Sequence, residues 1–431
     1  MADAALYSAR TAAPGRHASL LAKARDADPA RGADGDLPLL LAAGPAREAI
    51  LRFVGMGGLG ALMATRRALQ RDVRELAAEV AWREGERAYE DGKAMFRVKP
   101  ARVAAWAARF PGARALAVSE RGMTPALAVS VATTAGGMRR LETLNLSGCA
   151  VGGEGAKALA AALTAASAAG GLRLVKLDVG ENDIGAEGAS ALAKALPACA
   201  RLATLDVRWN GIGDEGASAL AKALPSCAQL AELNVGCNSI SDEGASALAK
   251  ALPSCALLAL LDVGGKGIGD EGASGLAKAL SSCARLAALN VGYNEIDNEG
   301  ASALAEALPS CAKLATLDVR GNGIGAEGAS ALAKALPSWA RLATLNVGDN
   351  SIGAEGASAL AKALPSCAQL ATLSVYGNGI GGEGASALAK ALPSCTQLAT
   401  LDVRSNGIGD EGKAALRAAA SAVGPRLKLV L

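Results

Sequence analysis

The 431-residue sequence is poor in the residues that most catalytic and metal sites need. Its single histidine, His17, leaves almost no room for a Ser-His-Asp triad or for a zinc site that uses histidine. The nine cysteines include no Cys-x-x-Cys pair, so a cysteine-based zinc site is not expected either. These absences predict a protein without enzymatic activity, with no catalytic residues, no metal and no cofactor.

Net charge and long apolar runs are also lacking. The formal charge is only +3, with +5 in residues 1–112 and −2 in the remainder. This balance does not predict the strongly basic surface that nucleic-acid binding requires. No apolar run reaches the roughly 18 residues of a membrane-spanning helix, and the first residues lack the apolar core of a secretory signal. We expect a chain that binds neither nucleic acid nor a membrane.

The cysteines that are present follow a repeat. Seven of the nine occupy one position of a 28-residue period, and Trp339 occupies that position in another unit. A position that accepts both Cys and Trp predicts a buried apolar site, not a disulfide or a metal ligand. Unpaired thiols favour a cytoplasmic or nuclear location. The seven are Cys199, Cys227, Cys255, Cys283, Cys311, Cys367 and Cys395.

The repeat has the pattern Leu-x-x-Leu-x-Val-x-x-Asn. Two earlier units, at Leu116 and Leu144, are followed by a five-residue insertion near residues 165–171, and a last strand falls at Leu429. We therefore expect about eleven units within residues 113–431, plus that terminal strand. The second Leu of the regular units is Leu177, Leu205, Leu233, Leu261, Leu289, Leu317, Leu345, Leu373 and Leu401.

Each unit contains two periodicities. Residues 205–207 alternate as a strand with one buried face, and residues 214–224 have helical spacing that ends at Pro225. Such short elements bury their apolar faces only by stacking on neighbouring units, with the strands in a parallel sheet. Strands lie about 4.8 Å apart and helices about 8 to 10 Å apart. The stack therefore curves into an α/β horseshoe with the sheet on its concave side.

This pattern, followed by Gly-Ile-Gly-Asp-Glu-Gly-Ala, resembles the ribonuclease-inhibitor subtype of leucine-rich repeats. The resemblance implies that the Asn of each unit bonds the turn backbone of its neighbours; Cys149 and Lys266 replace it in two units. The ribonuclease inhibitor itself favours Cys at many of these positions, so inhibition of a ribonuclease does not carry over. The Asn residues are Asn182, Asn210, Asn238, Asn294, Asn322, Asn350, Asn378 and Asn406.

The same family includes sensor proteins with a nucleotide-binding domain and activators of the Ran GTPase. The chain has neither the Gly-x-x-x-x-Gly-Lys-[Ser/Thr] phosphate loop of the first nor the acidic C-terminal tail of the second. A GTPase activator of the Ran type stays open as an alternative, although no catalytic or positioning residue for it can be named.

The N-terminal region divides by composition. Residues 1–36 are rich in Ala, Gly, Asp and Arg without apolar periodicity, which predicts disorder. Residues 37–112 are expected to be a helical cap on the first repeat. Residues 50–69 are similar to an F-box, which implies a ubiquitin-ligase scaffold as partner and a role in substrate recognition. Gly55–Gly60 fits Gly-x-Gly-x-x-Gly, but no second βαβ unit follows it, so a flexible loop is favoured over a dinucleotide site.

The strand exits are where the repeats differ most. Only four aromatic residues follow residue 141, and three of them, Trp209, Tyr293 and Tyr376, stand at strand exits. Trp, Tyr and Arg dominate binding hot spots, so this face is predicted to bind another protein; the alternative is a set of isolated surface residues. The predicted partner-binding residues are Asp206, Arg208, Trp209, Tyr293, Asp318, Arg320, Tyr376, Asp402 and Arg404.

The outward strand column alternates acid and amide from Asp206 to Asn346. This alternation places like charges two strands apart, at roughly 10 Å, which reduces their repulsion. The pattern therefore has an explanation that does not require a bound ligand. With Arg208, Arg320 and Arg404 interspersed, the face has the mixed charge of a protein-binding surface. The function that we predict is therefore a protein-interaction scaffold or receptor.

Overall fold

A computed structural model describes residues 86–90, 93–109, 113–118, 124–138, 140–170 and 172–431. The chain divides into two compact units, residues 1–87 and 88–431, and the second carries the repeats. His17, the expected disorder of residues 1–36, Gly55–Gly60 and the F-box-like segment 50–69 lie outside the described residues.

The repeats form one open sheet of twelve parallel strands, each paired with the next along the chain. The central leucines pair in register throughout, from Leu116 with Leu144 to Leu401 with Leu429. The expected α/β horseshoe and its repeat register are therefore confirmed. The strands are β3 (Ala115–Ala117), β4 (Thr143–Asn145), β5 (Lys176–Asp178), β6 (Thr204–Asp206), β7 (Glu232–Asn234), β8 (Leu260–Asp262), β9 (Ala288–Asn290), β10 (Thr316–Asp318), β11 (Thr344–Asn346), β12 (Thr372–Ser374), β13 (Thr400–Asp402) and β14 (Lys428–Val430).

Helices alternate with these strands along the chain, and neighbouring helices pack against one another in a second layer beside the sheet. Most end in a 3-10 turn that contains the repeat proline, as in Leu224–Ser226. The insertion after the second unit lengthens its helix to 17 residues. The helices are α1 (Val103–Arg109), α2 (Pro125–Gly136), α3 (Gly152–Ala168), α4 (Gly185–Ala195), α5 (Gly213–Ala223), α6 (Asp242–Ala251), α7 (Asp270–Leu280), α8 (Asn298–Ala307), α9 (Ala326–Ala335), α10 (Gly353–Ala363), α11 (Gly381–Ala391) and α12 (Gly409–Val423).

Among the described residues of the N-terminal region, one segment departs from expectation. Glu86–Glu90 (β1) and Lys93–Arg97 (β2) form a two-stranded sheet, so the prediction of helix is wrong for these residues. The five-residue runs Glu-Arg-Ala-Tyr-Glu and Lys-Ala-Met-Phe-Arg carry charged residues at both ends and an apolar centre, which suits a short strand as well as a helix turn. Helix is present from Val103 to Arg109.

The core consists of repeated columns. The central leucines from Leu116 to Leu401 are buried, and so are Trp339 and six of the seven column cysteines; Cys367 is half-buried. All nine cysteines are unpaired, which agrees with the predicted apolar column. Burial raises the pKa of Cys199 to about 12 and the pKa of Cys283 to about 11. These thiols therefore stay protonated and act as small apolar side chains.

The asparagines join neighbouring units, as the family resemblance implies. Oδ1 of Asn210 accepts the backbone N–H of Asn182 at 3.0 Å and that of Ile184 at 3.3 Å. Its Nδ2 donates to the carbonyl oxygens of Val179 and Val207, both at 2.9 Å. Because most of these side chains are buried, they satisfy turn groups that water does not reach. Lys266, which replaces one of them, is exposed.

A second ladder runs along the helix N-termini. Oδ1 of Asp270, in the first turn of α7, accepts the N–H groups of Asp297 and Gly300 at the start of the next helix, both at 2.8 Å. Asp214, Asp242 and Asn298 make the same pair of bonds to the unit that follows them. Each of these side chains therefore caps the helix of the next repeat, and the three aspartates also interact favourably with the dipole of their own helix.

This capping side chain determines how the next helix begins. After Asp214, Asp242, Asp270 and Asn298 the N-cap residue is extended, with φ between −98° and −92°. After Ala or Gly at the same position, the helix instead begins with a glycine at φ of 58° to 64°, namely Gly185, Gly213, Gly353, Gly381 and Gly409. Only the extended form occurs with Ser241 or Asp297 at the cap, because a side chain disfavours the left-handed region.

Within the described ranges, no helix combines the length and the apolar character that a membrane crossing requires.

Candidate binding surface on the parallel sheet

The predicted partner-binding residues all lie on one face of the sheet or at its strand exits. In β6, Leu205 is buried beneath the helices while Thr204 and Asp206 are half-buried on the opposite, concave face. Arg208 and Trp209 follow where the strand ends. Strands β6 and β8–β13 share this burial pattern, so each of these repeats places its two outward strand residues and its strand exit on the same surface.

Trp209 and Tyr293 are the large apolar side chains that this surface exposes, at 59% and 47% of their area. Both have a left-handed backbone, with φ of 53° and 55°. Their N–H groups donate to the carbonyl oxygens of Gly236 and Arg320 in the next unit, which fixes the turn. A left-handed backbone disfavours a bulky residue by about 1–2 kcal/mol. Burial of the side chain does not offset this conformational free energy at either residue, because both side chains are exposed.

Tyr293 belongs to a small stacked cluster. The guanidinium carbon of Arg320 lies 4.9 Å from the centre of the Tyr293 ring, and Arg320 Nε lies 3.4 Å from Asp318 Oδ2. Gly321, at φ of 64°, leaves the space that this ring occupies, because a Cβ there would overlap Cδ1 of Tyr293. Cation–π stacking and an ion pair together orient this arginine.

A similar cluster forms at Tyr376. The guanidinium carbon of Arg404 lies 5.6 Å from the centre of that ring. Arg404 Nε and Nη2 donate to Asp402 at 3.0 Å and 2.6 Å. These hydrogen bonds lower the pKa of the Asp402 carboxyl. The structure thus joins six of the nine predicted residues into two Tyr–Arg–Asp clusters.

The third Asp–Arg pair has different electrostatics. Arg208 Nη1 lies 3.3 Å from Asp206 Oδ2 and Arg208 Nε lies 3.8 Å from Glu181 Oε1. Burial nevertheless raises the pKa of Asp206, which the backbone N–H of Arg208 and its charge only partly offset. The same Asp-Val-Arg sequence therefore holds a carboxyl of raised pKa in β6 and one of lowered pKa in β13. Burial has the largest effect at Asp206, whereas the side-chain hydrogen bonds from Arg404 have the largest effect at Asp402.

The alternation of acid and amide has a cause beyond charge spacing. Nδ2 of Asn145 donates to Asp178 at 2.9 Å, Asn234 donates to Asp206 at 3.3 Å, and Asn346 donates to Asp318 at 3.2 Å. Each amide thus places a donor beside a neighbouring carboxylate. The acid in each unit also accepts the backbone N–H two residues later, as Asp206 does from Arg208 at 3.0 Å.

The helical face has a different character. Lys157 on α3 donates to Glu154 at 2.9 Å and to Glu187 on α4 at 2.7 Å, and these bonds raise its pKa to about 12. They border an open cleft of about 590 Å³ between the two helices. Lys157 and Glu187 are paired with each other and five of the lining residues are alanine, so this cleft offers few groups for recognition.

Comparison with known proteins finds a match for many of the repeats. Nine segments match the family model described as leucine-rich repeat: residues 138–160, 174–193, 199–221, 226–249, 283–305, 310–333, 342–361, 367–389 and 394–416. No curated protein sequence matches the chain.

Two solved structures are each similar to part of this chain. Actin-binding site 2 of leiomodin-1 is 21% identical over 36% of this chain and 87% of its own, with a TM-score of 0.32. An internalin from Listeria monocytogenes is 19% identical over 68% of this chain and 81% of its own, with a TM-score of 0.39. Neither likeness bears on what this chain binds.

Proposed function

Since the chain is a leucine-rich-repeat protein, we propose that it is a scaffold or receptor that binds a partner protein on the concave face of its sheet. The observation that carries this proposal is the exposure of Trp209 and Tyr293 in a left-handed backbone. The backbone conformation belongs to the repeat turn, since φ is positive at this position in all nine regular units, and what distinguishes Trp209 and Tyr293 is a large aromatic side chain exposed there, the kind that dominates binding hot spots.

The surroundings of these aromatics support the same conclusion. The arginines of the two Tyr–Arg–Asp clusters are held by an ion pair and a ring, so little side-chain entropy is lost when a partner covers them. Trp209 and Tyr293 stand three strands apart, roughly 14 Å at 4.8 Å per strand, so one partner can cover both. The unpaired column thiols support a reducing compartment, cytoplasmic or nuclear, for this interaction.

The partner can be sought with the full-length chain as bait, by affinity purification and mass spectrometry. Recovery of ligase scaffold subunits would favour the F-box alternative, and recovery of a GTPase would favour the Ran-type alternative. Neither alternative has a supporting observation among the described residues. The proposal made here requires only that a protein is recovered and that it contacts the sheet.

The decisive measurement is the dissociation constant of the purified partner. Trp209→Ala and Tyr293→Ala should each weaken binding about 30-fold or more, because an aromatic hot spot contributes about 2 kcal/mol. Lys222→Ala and Lys362→Ala, on the exposed helical face, serve as controls and should stay within about threefold. All four variants should melt within a few degrees of the wild type. A larger effect of the helical substitutions would show that the binding face is wrong.

A further inference from the structure

The middle of the concave face differs from its flanks. Strands β6 and β10–β13 carry Thr before the central Leu, whereas β7, β8 and β9 carry Glu232, Leu260 and Ala288. The position that holds Arg208 in β6 and Arg320 in β10 is glycine in these three units. We use the name central patch for Trp209, Glu232, Leu260, Asp262 and Tyr293, which surround this glycine floor of Gly236, Gly264 and Gly292.

Asp262 is the carboxylate at the base of the central patch. It accepts the backbone N–H of Gly264 at 2.9 Å and is hydrogen-bonded by the Asn290 side chain. Among the described residues it has no ion pair, whereas Asp206, Asp318 and Asp402 each have an arginine within 4 Å. Burial raises its pKa, so its charge is incompletely solvated by water and by the protein.

The neighbours of Asp262 add contacts of two other kinds. Leu260 and Ala288 are half-buried apolar side chains in positions where the flanks have hydroxyl groups. Glu232 is exposed and adds a second negative charge on the next strand. Arg320 already stacks on Tyr293, while no cation stacks on Trp209 within the described part of the chain. The central patch thus combines two carboxylates that form no ion pair among the described residues, although the charge of Arg208 acts on Asp262 from a distance, with apolar and aromatic surface.

We infer that the central patch receives a lysine or arginine side chain of the partner protein, an inference that rests on the proposed function. Its aliphatic stem would lie on Leu260 and Ala288 while its charged end meets Asp262 and Glu232. The ring of Trp209 offers a cation–π contact to the same group. At Gly236, Gly264 and Gly292 the chain itself places no side chain where Arg208 and Arg320 stand in the flanking units, so none of its own arginines follows these three strands.

The experiment uses a random 12-residue peptide library displayed on phage and selected on the immobilised full-length chain. We expect the selected peptides to share a Lys or Arg. Replacing that residue by Gln in a synthetic copy of the strongest peptide should weaken its binding at least tenfold. Free lysine or arginine in solution should compete poorly, because it lacks the peptide contacts to the flanks.

The protein variant is Asp262→Asn, which should also weaken the selected peptide at least tenfold. Asn stands in this column in β7 and β9, where Asn234 and Asn290 accept the N–H of the residue two positions later at 3.0 Å and 2.9 Å, so the variant keeps the turn. The control is Glu271→Gln, which removes one exposed negative charge from the helix of the same repeat. This control should bind within twofold of the wild type.

The outcomes separate the two proposals. If Trp209→Ala abolishes binding while Asp262→Asn binds like the wild type, the concave face is the binding surface and the inference about a basic side chain is overturned. Selected peptides without a basic residue overturn it as well. If both variants bind like the wild type, or if the library yields no binder, the result contradicts the proposed binding face itself.

Discussion

The buried columns of the repeat and its exposed strand exits follow opposite rules. The position of Leu205 is leucine in every unit from Leu116 to Leu429, and that of Asn210 is asparagine in eight units. The adjacent position of Trp209 varies among Glu, Trp, Cys, Gly, Tyr, Asp and Ser, although φ is positive in all nine regular units. Thus the leucine and asparagine positions maintain the fold, whereas the adjacent variable position determines the character of the surface. Substitutions at neighbouring positions should therefore affect different properties.

The largest effect is expected from Asn210→Ala. The change leaves the buried N–H groups of Asn182 and Ile184 without this acceptor. The carbonyl oxygens of Val179 and Val207 each lose one of two amide donors and keep the other, from Asn182 and Asn238. Each buried group that loses its partner costs about 1–3 kcal/mol, so we expect a loss of about 3 kcal/mol or more in unfolding free energy. Urea denaturation followed by circular dichroism measures it. Trp209→Ala, one residue earlier, should change stability by less than about 0.5 kcal/mol. Equal losses would remove the distinction between the two columns.

An intermediate effect is expected at the helix caps, and it should differ between two aspartates. Asp242→Ala removes the cap of α7, but Gly269 can then adopt the positive φ seen at Gly353, so we expect a loss of about 1 kcal/mol. Asp270→Ala leaves Asp297 at the cap of α8, where a side chain disfavours that rearrangement, and should cost about 2 kcal/mol.

Thermal and urea unfolding of the two cap variants provide this comparison. Glu243→Ala is the control, since Glu243 is exposed beside Asp242 and belongs to the same helix turn. If Asp242→Ala costs as much as Asp270→Ala, the glycine at the cap does not relieve the loss, and the proposed link between cap residue and helix start is incorrect.

The smallest effect is expected from Trp209→Gly, and it has the opposite sign. Glycine adopts a φ of 53° without strain, so the variant should be more stable than the wild type by up to about 1 kcal/mol. It should lose partner binding at the same time, since the aromatic ring is absent. Calorimetric melting and a binding titration on the same sample test both halves. A destabilised variant would mean that the ring contributes to folding after all.

The sequence predicts the fold closely because a 28-residue period constrains every unit at once. The parallel register, the insertion before Leu177 and the buried cysteine column all follow from column spacing. Two contacts between neighbouring units were not predicted. Arg320 stacks on Tyr293, and Asp270 caps the helix that begins after Asp297. In each pair the two residues are 27 positions apart in the sequence. A search for complementary residues 26 to 31 positions apart would have found them. The sheet at residues 86–97 lies before the repeats, where no such constraint acts.

The constant register gives the concave face a fixed unit of length. Binding groups on neighbouring strands are spaced in steps of about 4.8 Å and not continuously. Gain or loss of one repeat between Trp209 and Tyr293 would change their separation from roughly 14 Å to about 19 Å or 10 Å, with the leucine and asparagine columns still aligned. Repeat duplication can therefore fit such a surface to targets of different size in single steps, without redesigning the core.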